Sequence, residues 1–411
     1  MKKIFVISSF LWICFLAYPQ ENPFKQQALE EFKAEHYDNA IALMEKALAQ
    51  NQNDAEIYFY LGWFNHYRAY DSRPLRGYDF SYSQKIFEYL DKAIELNPKY
   101  GNAKYFYGAE CSANAFAAMQ NNDCEKVKYF YNLAFQKGAY PKWLIEIGKN
   151  ILNQCEKNAI LFTGGNADFD ICMYLQLIEN HRKDITIIPI ATFIDRPWYI
   201  KLLKNGLENC IKKINISLTD NQIDDMRPFK WRTTDIFIPV SDKMKKDFSL
   251  SADYQMKWTV EPNFSTNVQQ IKIEGEDAQN RTYLSPECAM LVQIVEDNFL
   301  QRPIFFTPFA YKDFYADLDK NFQYLGMVCK LLPIKTENTK FAYNFDEMEN
   351  LMQSENFKDF ADLQENPIER IGMYNIYQSV YQILSEHYKK ESQQNKLKKL
   401  AELYENLKIT K

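Results

Sequence analysis

Beyond its first twenty residues the chain has no apolar run long enough to cross a membrane, which takes about 20 mainly apolar residues in a helix. Its one long apolar run, residues 4–17, is shorter than that and follows Lys2 and Lys3. A short basic segment before such a run is typical of a secretory signal peptide. We therefore expect residues 1–20 to be a signal, and the mature chain to be a soluble periplasmic or secreted protein with no membrane span, starting near residues 18–21.

Histidine is scarce, with four residues scattered along the chain: His36, His66, His181 and His387. No two of them have the helical spacing of a pair of metal ligands. The sequence also lacks a Gly-X-Ser-X-Gly nucleophile elbow and a compelling pairing of a cysteine with a histidine. No standard catalytic set is therefore recognisable, and no cofactor or metal can be named from the sequence.

Basic residues are not in excess either. The formal net charge is −5 at pH 7, and it becomes −7 when Lys2 and Lys3 leave with the signal. Proteins that bind nucleic acid usually carry a basic patch or stripe, and none is present here. We expect no nucleic-acid partner.

Cysteine is present in an odd number once the signal is removed. The seven residues are Cys111, Cys124, Cys155, Cys172, Cys210, Cys288 and Cys329. An odd number at irregular spacing does not form a disulfide framework. We interpret most of them as small buried apolar residues, and Cys111 with Cys124 as the best candidate pair for a bridge.

The N-terminal third has the 34-residue period of tetratricopeptide repeats. In the first unit, Ala28 lies on one helix and Ala40 and Ala47 on its partner, where small side chains allow two helices to approach closely. The clearest repeat signature is KAIELNP at residues 92–98, and a third, looser unit closes near Pro141. Such arrays usually bind peptides on a concave surface, which predicts a peptide or protein partner, but a short array can also merely brace the next domain.

An insertion of about a dozen residues around residues 71–77 separates the two helices of the second repeat unit. It carries Arg73 and Arg76. The interpretations stay open: the insertion covers the concave face or contacts a partner, or it is a plain long loop.

Apolar runs of strand length recur in the middle of the chain, at residues 159–163, 185–190, 235–240, 268–273, 303–307 and 327–333. Helical patterns separate several of them, at residues 168–181, 197–211, 285–300 and 311–324. This alternation predicts a mainly parallel sheet with helices on both faces. The predicted fold class is therefore α plus α/β: helical repeats in residues 21–150, an α/β domain in residues 151–340 and a C-terminal helical segment in residues 341–411.

The candidate ligand site is the Gly-rich turn after the first predicted strand, which runs from Thr163 through Gly164, Gly165 and Asn166. Ligands of open parallel sheets bind at the carboxyl ends of the strands. Two glycines allow a tight turn and leave backbone amides open at a helix N-terminus, an arrangement that suits an anion. The glycine spacing, however, is that of neither a dinucleotide fingerprint nor a phosphate-binding loop.

Two acidic residues follow in the same turn, Asp168 and Asp170. Their charges favour a cation or sugar hydroxyls over an anion. The alternative is purely structural: the glycines make the turn, and Asn166 or Asp168 caps the helix.

Three further residues are candidates for ligand contact. Trp198 and Tyr199 open the next predicted helix near the same sheet edge, where they could stack on a sugar; packing against a neighbouring helix is the favoured alternative. Arg302 precedes the strand at 303–307. It could reach a ligand phosphate, but an ion pair with a helix carboxylate is the favoured interpretation.

The order of these motifs resembles the soluble C-terminal region of multi-spanning protein O-mannosyltransferase-like proteins of Bacteroidetes, members of the glycosyltransferase-C superfamily. That region has a strand ending Phe-Thr-Asn-Gly-Asp-Asn-Asp-Thr and a helix beginning Trp-Tyr-Ile. Here Phe162, Thr163 and Gly165 hold the places of the first motif, and residues 198–200 those of the second. Residues 302–306, 324–335 and 370–390 match later elements, so that the resemblance covers roughly residues 140–400.

The resemblance does not carry an activity with it. In those enzymes the chemistry is assigned to an N-terminal bundle of membrane helices, which this sequence lacks. The first hypothesis is an exported, non-catalytic binding or accessory protein that presents a peptide or a glycan in envelope glycosylation or assembly. The second is a free-standing metal-assisted hydrolase or sugar transferase that uses the GGNADFD turn.

Overall fold

A computed structural model describes residues 22–71, 77–263, 281–310, 312–353 and 369–407. The predicted signal, Arg73 and Arg76 of the insertion, and the predicted strand at 268–273 lie outside these residues. Among the described residues, no helix has both the length and the apolar character of a membrane span. The chain divides into two compact units, Met1–Pro98 and Lys99–Lys411.

The described part of the first unit consists of helices that pack in sequence order. They are α1 (Pro23–Lys33), α2 (Tyr37–Gln50), α3 (Ala55–Asp71) and α4 (Ser83–Leu96). The side chain of Asn22 accepts a hydrogen bond from the Phe24 amide, and Pro23 occupies the first turn, which together start α1. Ala28, Ala40 and Ala47 have no exposed surface, as the sequence pattern predicts for helix contacts. The assignment of these helices to tetratricopeptide repeats stays a prediction.

The contact between α3 and α4 depends on a glycine. A Cβ atom added to Gly62 would lie 2.7 Å from Cγ of Leu90, whose side chain is fully buried. Alanine favours a helix over glycine by about 1 kcal/mol, whereas overpacking a core costs about 1–3 kcal/mol. Because the branch point of Leu90 is in the way, and not only its mobile end, the steric cost is the larger of the two.

We therefore predict that Gly62→Ala lowers the free energy of unfolding by about 1 kcal/mol. In a Leu90→Ala background the obstruction is gone, so the same substitution should raise stability. A double-mutant cycle measured by urea denaturation checks both signs. Stabilisation by Gly62→Ala in the wild-type background would contradict the close helix contact.

The second unit combines helices with short strands. Its helices are α5 (Gly101–Gln120), α6 (Cys124–Gln136), α7 (Lys142–Gln154), α8 (Asn166–Leu177), α9 (Pro197–Asn205), α10 (Asp220–Asp224), α11 (Asp242–Asp247), α12 (Pro286–Asn298), α13 (Phe345–Leu351), α14 (Glu369–Lys390) and α15 (Gln394–Leu407). Its strands are β1 (Ile160–Thr163), β2 (Thr186–Pro189), β3 (Phe229–Lys230), β4 (Thr234–Pro239), β5 (Gln255–Val260), β6 (Tyr283–Leu284), β7 (Ile304–Phe306), β8 (Phe322–Tyr324) and β9 (Cys329–Leu331). The helical C-terminal segment is confirmed, and so is the prediction that the first strand follows residue 150, as far as the chain is described.

The main sheet is mixed, so the prediction of a mainly parallel sheet is only partly right. Its strand order is β2-β1-β7-β9-β8. β1 pairs in parallel with β2, as predicted, and with β7, whereas β9 is antiparallel to both β7 and β8. Only four residues join β8 to β9, and a connection that short allows only antiparallel pairing, because parallel strands need a long crossover.

Two other segments differ from the prediction. The run at 235–240 does not join the main sheet, because β4 pairs with β5 in a separate antiparallel ribbon. The predicted helix at 311–324 is two short 3-10 segments followed by β8. Ala316 and Asp317 between those segments have φ of 46° and 66°, a left-handed backbone that cannot continue a right-handed helix.

Helix α8 is buried within the second unit. Every residue of α8 from Asp168 to Leu177 is buried. The helix contacts β2 of the sheet as well as α5, α6 and α7. The start of this central helix is also the candidate site.

Candidate functional site

The Gly-rich turn lies where three parallel strands end. The Thr163 carbonyl at the end of β1 accepts a hydrogen bond from the Ile190 amide just after β2, at 2.9 Å. The Thr307 amide just after β7 donates to the Phe162 carbonyl at 2.8 Å. The turn therefore sits at the carboxyl edge of the parallel part of the sheet, as the sequence predicts.

Asp168 uses its carboxylate to close this turn. Its Oδ2 accepts from the Gly164 amide at 2.7 Å, and its Oδ1 accepts from the Gly165 amide at 3.0 Å. Thr307 donates its hydroxyl to the same Oδ2 at 2.5 Å. Asp168 thus caps α8 and ties the end of β1 to the end of β7, and the two glycine amides are occupied from within.

Burial sets the electrostatics of Asp168. The residue is 2% exposed, and this desolvation raises the pKa of its carboxyl group, although the bonds from Thr307, Gly165 and Gly164 act in the opposite direction. A carboxylate buried in this way is stable only when donors surround it. The three donors are all parts of the turn and the strand ends, so the charge holds the local fold together.

Asp170 points toward the helices and away from the strand ends. Its Oδ1 accepts from the hydroxyl of Ser112 on α5 at 2.8 Å and from the hydroxyl of Tyr131 on α6 at 3.1 Å. Burial, and then the charge of Asp170, raise the pKa of Tyr131 well above its usual value, so this hydroxyl stays a donor. The two acidic residues therefore do not converge on one ligand.

The two glycines have different roles, and neither has the positive φ that would require glycine. A Cβ at Gly164 would lie 2.7 Å from the carbonyl carbon of Phe309 and 2.8 Å from the amide nitrogen of Ala310. A Cβ at Gly165 would meet nothing within 4 Å. Glycine is required at position 164 because two backbone segments approach closely there. At position 165 a side chain would meet no steric obstacle.

The remaining turn residues differ in exposure. Thr163 is fully buried. Asn166 is exposed, and its side-chain oxygen accepts from the hydroxyl of Thr192 at 3.3 Å. Asn166, Thr192 and the open side of Gly165 are therefore the groups of this turn that a ligand would meet first.

Trp198 and Tyr199 lie near this edge but face a packed interior. Tyr199 has no exposed surface and donates its hydroxyl to the Ile187 carbonyl at 3.2 Å. Trp198 is partly exposed and packs edge-on against Phe193, with ring centroids 5.3 Å apart. The ring of Tyr199 has no free face for a sugar, which agrees with the packing interpretation.

Arg302 lies at the opposite edge of the sheet, where β1, β2 and β7 begin. Its guanidinium donates to the carbonyls of Asn158 and Ala159, both at 2.8 Å, to the hydroxyl of Thr186 at 2.9 Å, and to the Lys213 carbonyl at 3.2 Å. These bonds, and not the ion pair with a helix carboxylate favoured from the sequence, hold the side chain. Burial lowers the pKa of Arg302 to about 10. The length of β1 separates this residue from the turn.

Three residues of the site were missed by the sequence reasoning: Ser112, Tyr131 and Thr307. They lie far from the turn along the chain, and only the fold brings them to Asp168 and Asp170. Thr307 is the last residue of the predicted strand at 303–307, and a polar residue at the carboxyl end of a strand in a mainly parallel sheet is the signal that could have indicated it.

No metal centre is evident around the turn. Among the described residues, no group of three or more His, Cys, Asp or Glu side chains is placed to hold a metal ion. A cavity of about 1050 Å³ elsewhere in the second unit is lined by charged residues of both signs, among them Arg281, Lys312 and Asp313. Because it borders residues 264–280, which lie outside the described chain, we assign no site to it.

The sequence matches one known family of domains. The model of TMEM260-associated domain 2 matches residues 144–280 and 256–352, which together make up half of the chain. The chain belongs to the TMEM260-associated domain 2 family. TMEM260 is a predicted protein O-mannosyltransferase, which agrees in general terms with the resemblance noted from the sequence. No curated protein matches the chain.

The matched segments of the TMEM260-associated domain contain the Gly-rich turn but not Ser112 and Tyr131, the partners of Asp170. The segments begin within α7 and include the Gly-rich turn, Asp168, Asp170 and Thr307. The helices α5 and α6, which supply the two partners of Asp170, precede those segments. The domain in this chain is therefore bonded to helices that the family model does not cover.

We predict opposite outcomes for the two glycines of the turn. Gly164→Ala should lower the free energy of unfolding by about 2 kcal/mol or more, because backbone atoms of Phe309 and Ala310 must move. Gly165→Ala should stay within about 0.5 kcal/mol of wild type, as is usual at an open position. Urea denaturation of both variants measures the difference. Equal effects would show that the backbone at Phe309 does not lie against Gly164.

We also predict that Asp168→Ala is more damaging than loss of an ordinary helix cap. A surface cap is worth about 1 kcal/mol, but here the buried Thr307 hydroxyl would also lose its acceptor, which costs about 1–3 kcal/mol, whereas the Gly164 amide would keep the Thr307 hydroxyl oxygen at 3.1 Å. The expected loss of unfolding free energy is about 2–4 kcal/mol. Asp168→Asn keeps one acceptor oxygen and is the matched control, with a smaller expected loss. Wild-type stability of Asp168→Ala would contradict the hydrogen bonds from Gly164, Gly165 and Thr307 to Asp168.

Proposed function

We propose that this protein is an exported, non-catalytic accessory protein of envelope glycosylation or assembly. In this proposal its TMEM260-associated domain is a rigid scaffold, and the helices α1 to α4, arranged as tetratricopeptide-like repeats, bind a peptide segment of a partner protein. Export depends on the signal predicted in residues 1–20. The link to glycosylation is supported by the family match and by the O-mannosyltransferase resemblance.

The observation that carries the proposal is an exposed aromatic surface in the first unit, formed by Tyr67, Tyr70 and Phe80. These side chains are 41%, 48% and 40% exposed. Tyr67 and Tyr70 are three residues apart on α3 and therefore lie on neighbouring positions of one helix face. Large aromatic side chains that are half in water are enriched where proteins bind other proteins.

Neighbouring rings hold this aromatic surface in place. Tyr67 packs edge-on against Phe32 at a centroid distance of 5.3 Å. Tyr70 packs edge-on against Tyr78 at 4.7 Å, and Tyr78 packs against Phe80 at 4.9 Å. Rings that are already fixed lose little conformational entropy when a partner binds.

Polar groups next to the aromatic surface suit a peptide backbone. A cavity of about 530 Å³ is lined by His36, Tyr37, Asp38, Arg68 and Tyr82, among others. The guanidinium of Arg68 donates to Asp38 at 2.9 Å and lies 4.3 Å from the centre of the Tyr82 ring. Tyr37 connects this cavity to the aromatic surface, since its ring centroid lies 6.5 Å from that of Tyr67. Apolar side chains of a peptide would contact the rings, and its amides and carbonyls the charged groups.

The Gly-rich turn supports a scaffold role for the other unit. Both glycine amides and both oxygens of Asp168 are used in internal hydrogen bonds. A ligand that used these amides or this carboxylate would have to break bonds that hold β1, β7 and α8 together. The alternative of an enzyme built on the GGNADFD turn would need those same groups for its chemistry.

A peptide-binding experiment tests the proposal. Peptides selected from a displayed random library against the purified chain are measured by isothermal titration calorimetry. We expect Tyr67→Ala with Tyr70→Ala to weaken binding at least tenfold, because interface hot spots of this type contribute about 1–2 kcal/mol or more. Tyr129→Ala on α6 is the matched control, since Tyr129 is 58% exposed but lies in the other unit.

The controls separate the two hypotheses. Circular dichroism verifies that each variant stays folded. Full affinity in the Tyr67/Tyr70 variant, or an equal loss in the Tyr129 variant, would contradict binding by the aromatic surface. Binding of oligosaccharides in place of peptides, lost in Asp168→Asn but kept in the tyrosine variants, would favour the Gly-rich turn.

A further inference from the structure

The second unit contains a cavity beside the beginning of β2, at the sheet edge opposite the Gly-rich turn. Its volume is about 550 Å³. Cavities that bind small organic ligands usually measure about 300–1,000 Å³, so this one has room for more than a single ion. Its lining lies within the described chain and consists of Gln176, Leu177, Lys183, Ile185 and residues 205–213.

The backbone of one cavity wall is fixed by hydrogen bonds. Helix α9 ends at Gly206, whose φ of 77° turns the chain away from the helix. The Leu207 amide donates to the Ile211 carbonyl at 2.9 Å, and the Ile211 amide donates back to the Leu207 carbonyl at 2.8 Å. The Thr186 hydroxyl at the start of β2 donates to the Lys212 carbonyl at 3.1 Å. A wall that is already fixed loses little conformational entropy when a ligand binds.

Positive charge exceeds negative charge in this cavity. Three lysines line it: Lys183, Lys212 and Lys213. The one carboxylate in the lining is that of Glu208. The Lys183 ammonium donates to the Asn180 side-chain oxygen at 3.1 Å, and the Lys212 ammonium donates to that of Asn158 at 2.7 Å, both neutral acceptors. Within the described residues, no carboxylate lies at ion-pair distance from these three ammonium groups.

A buried guanidinium next to the cavity adds to this positive charge. Arg302 donates to the Lys213 carbonyl at 3.2 Å and to the Thr186 hydroxyl at 2.9 Å. Burial, and then the charge of Arg302, lower the pKa of Lys212. Like charges that the fold brings together without a counter-charge attract an anion, which removes part of their repulsion. The lysines come from two segments of the chain, so the sequence shows no basic run at this place.

We propose that this cavity binds a small phosphate ester, with its phosphate group paired to Lys183, Lys212 and Lys213. Ammonium groups are compact charges that bind phosphate oxygens through charge-assisted hydrogen bonds. The organic part of the ester would contact Leu177 and Ile185, which lie in the same lining. This site is separate from the Gly-rich turn and from the aromatic surface, and it adds a small-molecule ligand to the proposed binding of a peptide.

Isothermal titration calorimetry of the full chain with glucose 6-phosphate and glycerol 3-phosphate tests the proposal, with glucose and inorganic phosphate as comparisons. We expect at least one ester to bind more tightly than inorganic phosphate, and glucose not to bind. Lys212→Met with Lys213→Met should weaken ester binding about tenfold or more, because charge-assisted bonds are lost. Glu208→Gln should strengthen it about two- to fivefold, because a repelling charge is removed.

Two further variants keep the test independent of folding and of net charge. Lys183→Met removes an ammonium that is bonded only to the side chain of Asn180, and it should weaken ester binding about threefold or more. Lys201→Met is the matched control, because Lys201 pairs with Asp224 at 2.7 Å outside the cavity lining. Its affinity should equal that of wild type. Circular dichroism verifies that every variant is folded.

Four outcomes would overturn the proposal. The first is that neither ester binds at millimolar concentration, and the second is that inorganic phosphate binds more tightly than both. The third is an equal loss of affinity in Lys201→Met, which would show a general effect of charge. The fourth is binding to phosphatidylglycerol vesicles that depends on Lys212 and Lys213 in the absence of ester binding, since it would assign these lysines to a lipid surface.

Discussion

The buried carboxylate of Asp168 is the interaction on which the second unit depends. A charge removed from water needs donors around it, and here the donors are two amides of the Gly-rich turn and the hydroxyl of Thr307. Because these groups belong to the end of β1, the start of α8 and the end of β7, satisfying one charge fixes three elements relative to one another. Because these amides and this carboxylate are hydrogen-bonded to one another, they are not free to bind a ligand. A turn whose sequence resembles a binding loop therefore connects β1, α8 and β7.

Two other buried side chains connect further elements of the second unit. Asp170, two residues further along α8, faces another side of the helix and accepts from Ser112 and Tyr131, which bonds the family domain to α5 and α6. Arg302 joins the opposite edge of the sheet through carbonyls of the chain segments that enter it. Buried charges therefore stabilise the parallel strands at both ends, and a well-packed scaffold is the structural consequence.

In the proposed function, recognition depends on surfaces that the scaffold leaves exposed. In the first unit, Tyr67 and Tyr70 keep nearly half of their area in water although their rings are held by other rings. This surface combines a fixed backbone with accessible side chains, which is the combination that binding requires.

The sequence by itself determined the order of elements and many of their bounds. Apolar periodicity placed the helices of residues 23–154, and the β-rich runs at 159–163 and 185–190 became the parallel pair β1 and β2, because local pattern and burial act within a few residues. Only the tertiary structure decided the antiparallel addition of β9 and β8, the direction of Asp170, and the partners of Arg302. Most partners of Arg302 lie more than a hundred positions away, as Thr307 does from Asp168, and the partners of Asp170 depend on which side of α8 a neighbour packs. Sequence spacing carries no record of such contacts, since they form only when the whole chain has folded.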